Sequence, residues 1–90
     1  MKVALQFDEP WDFTEDLAGK WWRGCLADEW VDLDEPFQFR GNEHRRVKVR
    51  PRYVGCEVSR LAVDETMIVN QTVASPEGEQ LLTGSLKRIA

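Results

Sequence analysis

From Arg46 to Tyr53 the chain alternates cation with apolar residue: Arg46, Lys48, Arg50 and Arg52 against Val47, Val49, Pro51 and Tyr53. Successive side chains of an extended strand point to opposite faces, so a period of two fixes an inside and an outside. A helix would scatter the same residues around its axis. The run therefore predicts a strand over residues 44–53 with a basic outer face and an apolar inner one. Pro51 has no N–H to give a ladder, which puts that end at an edge or a bulge.

The same patterning recurs along the chain. Val3, Leu5 and Phe7 alternate in a first strand over 2–7, which Asp8-Glu9-Pro10 ends. Lys20 to Ala27 reads as a second strand and 30–35 as a third, with Val31 and Leu33 facing in and Asp32 and Asp34 facing out. Asp28-Glu29 suits a tight hairpin between them. Residues 37–40 either extend the third strand past Pro36 or form a short one of their own, and Gly41-Asn42 is a turn signal.

Residues 66–74 are rich in β-branched side chains, and 80–89 form the last strand, with Gly84 a bulge or a close approach. Ser75-Pro76-Glu77-Gly78 has turn chemistry between the two. After Gly55, Val58, Leu61 and Ala62 share one face at helical spacing, which predicts a short helix over 56–63. Thr14 to Gly19 forms either one helical turn or a plain loop.

These elements predict a mainly β chain with one short helix: a small antiparallel β-barrel or curled sheet, OB-like or SH3-like. Residues 1–90 make a single domain. A chain of this size buries only about two thirds of its unfolded surface. Four tryptophans and four phenylalanines supply bulky core material. Phe7-Asp-Glu-Pro-Trp-Asp-Phe13 is echoed in Leu33-Asp-Glu-Pro-Phe-Gln-Phe39, which reads as a proline-fixed corner used twice rather than a binding motif.

Charge is unevenly spread. Residues 1–39 hold 3 basic and 10 acidic side chains, whereas 40–52 hold 6 basic and 1 acidic. The sequence pI of 4.9 argues against a surface that attracts nucleic acid everywhere, and leaves a local basic stripe as the only such footprint. The carboxylate-rich first part is also compatible with mimicry of nucleic acid toward a basic partner. If the strand over 30–35 pairs with the basic one, Asp32 and Asp34 sit opposite its cations and neutralise them, each pair contributing about 0.2–1 kcal/mol. A charge face satisfied from within, or simply solvated, is the favoured reading of the stripe.

Catalysis finds little support. The sole histidine, His44, lies in a charged turn segment without a nucleophile at a recognisable spacing. No glycine-rich phosphate loop is present. Cys25 and Cys56 have no metal-ligand spacing around them, so no metal or other cofactor is expected, and they read as reduced, buried small hydrophobes. No apolar run approaches the about 20 residues that span a bilayer, and no signal-peptide core opens the chain; a cytoplasmic protein without membrane contact is the expectation.

What remains is binding. The leading expectation is a non-catalytic interaction module with a protein partner, using Trp21, Trp22 and Arg23 together with Arg46, Lys48, Arg50 and Arg52, because tryptophan and arginine are enriched at interface hot spots. The alternative is single-stranded nucleic acid held by the basic strand over 45–53, with Trp21 or Trp22 as stacking platform. Adjacent residues on a strand face opposite ways, so one of these tryptophans belongs to the core and the other lies partly outside. A third class is a homo-oligomer formed through an exposed strand edge.

Overall fold

The alternating segments become six strands: β1 (Lys2–Phe7), β2 (Trp21–Ala27), β3 (Trp30–Phe39), β4 (Asn42–Pro51), β5 (Thr66–Ser75) and β6 (Gly78–Arg88). The structure is a computed structural model and describes residues 1–8, 20–39, 41–75 and 78–90. Each strand pairs antiparallel with the next in the chain, and β6 returns to β1, so the sheet closes into a barrel. Closure gives every strand two neighbours, which leaves no whole edge strand for another chain to extend. The residues of the expected turn at 14–19, and the first copy of the Asp-Glu-Pro corner beyond Asp8, lie outside the described residues.

Period two sets the core. Val3, Leu5 and Phe7 of β1 and Val31, Leu33 and Phe37 of β3 point inward and are buried. Val47 and Val49 do the same from the basic strand. Phe7 and Trp22 tilt against Phe37, with ring centroids 5.1 and 5.8 Å away, so an aromatic cluster fills one end of the barrel.

β3 runs unbroken past Pro36, but not in regular register. Asp32 pairs with Arg46, and the next pair is Phe37 with His44. Residues 33–36 thus stand opposite Arg45 alone, a wide bulge around the proline. The β2–β3 connection is the expected two-residue turn, with Asp28 in the left-handed region at φ 55°. Gly41, at φ 77°, turns β3 into β4. Gly84 is a close approach rather than a bulge, since β5 and β6 pair without a register shift across it.

Three local expectations are corrected. The helix over 56–63 is only a 3-10 turn, Val58–Arg60, with Leu61 already extended at ψ 133°. A lone turn fixes several dihedrals for one hydrogen bond, and this segment is too short to repay that cost. Tyr53 does not continue the inner row: β4 stops at Pro51, and the ring is 58% exposed. Both cysteines are free and exposed rather than buried. Cys25 takes an outward position because Trp22 and Gly24 hold the inward ones on β2, and Cys56 lies in the connection after β4.

Candidate functional site

The basic strand projects its cations outward as the alternation requires, and meets carboxylates there. Arg46 Nε lies 3.3 Å from Asp32 on the neighbouring strand. Glu29 sits between the next two, 3.7 Å from Lys48 Nζ and 3.4 Å from Arg50 Nε. The backbone explains its position: the Val49 N–H donates to the Glu29 carbonyl at 2.7 Å, pinning the β2–β3 turn against β4. The ring of Trp30 takes two of the same cations over it, with the Arg46 guanidinium 4.4 Å and Lys48 Nζ 5.9 Å from its centre.

Asp32 therefore acts as expected, whereas Asp34 does not reach the basic strand, because it stands in the bulge where the ladder is broken. Glu29 takes its place. Sequence alone did not single out Glu29, and the only available signal was its position in a two-residue turn beside an alternating strand. Among the described residues, Arg52 is the one member of the basic row without an ion pair, and it follows the last residue of β4.

Trp21 and Trp22 divide between the two faces. Trp22 is in the core, 8% exposed, with Lys20 Nζ 4.3 Å above its ring. It is thereby removed as a stacking platform. Trp21 is half-buried on the outside, with Lys87 Nζ 5.5 Å from its ring centre, and Arg23 beside it is exposed. The seven residues expected to form one surface thus fall into four places: Trp22 in the core, Arg46, Lys48 and Arg50 on the outer face of β4, Arg52 just past its end, and Trp21 and Arg23 on the outer face of β2.

His44 lies within β4 rather than in a turn. Its ring stacks on Phe37 at 5.3 Å, with Phe39 at 6.2 Å, and its Nε2 is buried without a partner. Among the described residues no three His, Cys, Asp or Glu side chains gather as a metal would need, and no helix is long and apolar enough to cross a membrane.

A second feature lies where the connection after β4 crosses one barrel end. An open groove of about 550 Å³ has Leu26, Val49, Pro51 and Val58 among its lining, and Asp28, Glu29 and Glu57 also line it. The chain that borders it leaves Tyr53 and Val54 projecting into solvent, Val54 completely. The opposite end carries a smaller hollow of about 210 Å³ between Lys20, Trp21 and Arg23 on one side and Asp34 and Glu35 on the other. No protein-family model, no curated protein and no solved structure matches the chain.

Proposed function

We propose that this barrel is a non-catalytic interaction module that binds another protein through the groove at the end crossed by residues 52–65. The observation that carries the reading is the apolar lining from Leu26, Val49, Pro51 and Val58, bordered by a segment that exposes Tyr53 and Val54. A small barrel gains nothing in stability from a fully exposed valine and a mostly exposed tyrosine, whereas a docking partner would cover both.

The charge of the groove selects its occupant. Asp28 has no ion pair among the described residues, and Glu57 is paired only with Arg60 of its own turn, at 3.2 Å. Exposed pairs of that type are weak and readily exchanged. The partner segment therefore carries an apolar side chain for the floor and an adjacent lysine or arginine for the carboxylates. The basic strand, whose cations already have Asp32 and Glu29, serves as a wall of the groove and not as the binding face.

Selection of random peptides on the immobilised protein tests this. The expected outcome is enrichment of an apolar residue next to Lys or Arg, with binding of a selected peptide lost on Val58→Asp and weakened about tenfold on Asp28→Asn. Selected peptides that bind the wild type, Val58→Asp and Tyr53→Ala alike would sink the proposal.

A further inference from the structure

We propose that the outer face of β6–β1–β2 is a separate binding site for single-stranded nucleic acid, with Trp21 as the stacking surface and Lys2, Arg23 and Lys87 as phosphate contacts. This face is independent of the groove. It also differs from the basic row of β4, which the sequence singles out first.

The strands themselves supply the charge imbalance. β1 (KVALQF) and β2 (WWRGCLA) contain no carboxylate, and the only one in β6 is Glu79, close to its start. Val3, Leu5 and Phe7 take the inside of β1, so Lys2, Ala4 and Gln6 take the other side, where Lys2 is exposed, Gln6 is half-buried and the small Ala4 is buried beneath its neighbours. Ala4 pairs with Arg23 on one side and Lys87 on the other, and Lys2 pairs with Cys25. Adjacent strands are about 4.8 Å apart, so Arg23 and Lys87 flank β1 with backbones about 10 Å apart, and Lys2 stands about 7 Å along the strand from Ala4. None of the three has a carboxylate within ion-pair distance among the described residues, in contrast to Arg46, Lys48 and Arg50.

The aromatic is in the same place. Gln6 pairs with Trp21 on one side and Ser85 on the other, so the indole lies one step along the face from Arg23, with Gln6 between it and the small residue Ser85. Lys87 already rests 5.5 Å from its ring centre, showing that a cation and the ring share one space. A flexible lysine is easily displaced from a ring by a base while its ammonium turns to the phosphate. An aromatic surface with cations on either side is what sequence-tolerant single-strand binding requires. Asp34 and Glu35, across the small hollow from Trp21 and Arg23, limit the face on the β3 side and set the direction in which a strand can run. The chain's overall charge of −4 opposes long-range attraction, so the interaction is short-range and sensitive to salt.

The test is anisotropy of a labelled oligo-dT of about 12 nucleotides, a length within single-strand site sizes. Three phosphate contacts give a slope of log K against log[salt] of about −2, which is about a twenty-fold loss between about 50 and 200 mM salt. Arg23→Gln with Lys87→Gln reduces the slope to about −0.7. Trp21→Leu weakens binding about tenfold at unchanged slope. Arg50→Ala with Arg52→Ala changes neither, and circular dichroism confirms that each variant is folded. Absence of binding at the lower salt overturns the proposal. So does binding that survives in the Arg23/Lys87 variant and disappears in the Arg50/Arg52 variant. Binding that heparin displaces equally well per charge, with no loss on Trp21→Leu, also overturns it, since the face would then read charge and not bases.

Discussion

The side-chain amide of Gln71 donates across β6 to the backbone carbonyl of Gln6, at 3.3 Å, over the position of Gly84. Gln71 is fully buried, and Gly84 pairs with Val69 on one side and Phe7 on the other. A methyl group at Gly84 would collide with the Gln6 carbonyl and come within 2.8 Å of Gln71 Nε2. The barrel is thus stitched at its closing seam by a side chain that only glycine lets through.

Gly84→Ala is accordingly expected to cost about 3 kcal/mol or more, through overpacking against backbone and loss of the cross-seam bond. Urea unfolding followed by tryptophan fluorescence measures it. A loss below about 1 kcal/mol would show that β1 and β6 can separate at this point without consequence.

His44→Phe should stabilise the protein. The ring contacts with Phe37 and Phe39 persist in a phenylalanine, and the buried Nε2 without a partner is removed. Leaving such a group unsatisfied costs about 1–3 kcal/mol, so a gain of about 1 kcal/mol in the same unfolding experiment is expected. A destabilised variant would mean that His44 Nε2 has a partner in solution.

The ion pairs over the basic strand contribute little individually. Arg46 and Asp32 are 59% and 63% exposed, so solvent screens them. A double-mutant cycle with Arg46→Gln and Asp32→Asn should give a coupling of about 0.5 kcal/mol at low salt, falling toward zero at high salt. A coupling above about 2 kcal/mol would mean that Trp30 beneath them desolvates the pair far more than its geometry implies.

Arg88 holds the connection that borders the groove. Its Nη1 donates to the Leu61 carbonyl at 2.7 Å, its backbone N–H to Glu65, and its carbonyl accepts from the Asp64 N–H at 2.8 Å. Arg88→Met retains the backbone bonds and removes the side-chain one. Hydrogen exchange should then quicken over residues 53–63 while β1 to β4 stay protected. Uniform loss of protection along the chain would show instead that Arg88 supports the whole barrel.

The strands were readable wherever side chains alternated in bulk and polarity, as in β1, β3 and β4. In β2 the strand is legible but its faces are not: Gly24 has no side chain to declare a face, so the sequence does not show that Cys25 points outward. Alternation alone places Asp34 opposite the basic strand only if the ladder is regular, and the bulge around Pro36 breaks that ladder. The role of Glu29 is not legible in the sequence because it depends on the turn folding back to bond Val49, a tertiary contact with no local signature. Tyr53 followed the alternation past the point where the strand ends. The candidate site divided for the same reason. Periodicity assigns residues to faces of one strand, but only closure of the barrel shows which strands lie side by side.

That closure also governs how the chain must fold. Val3 pairs with Arg88 and Phe7 with Gly84, so the last ladder joins segments from opposite ends of the sequence. The other ladders are hairpins between consecutive strands and can form locally, but the seam has to wait for β6. Contacts so distant in sequence make folding slow, on the order of milliseconds to seconds. During that interval β1 and β6 are bare edges, open to any other extended chain. Newly made or refolding molecules at high concentration are therefore where this protein is most exposed to swapping strands with a neighbour, a hazard that ends once Gln71 has reached Gln6.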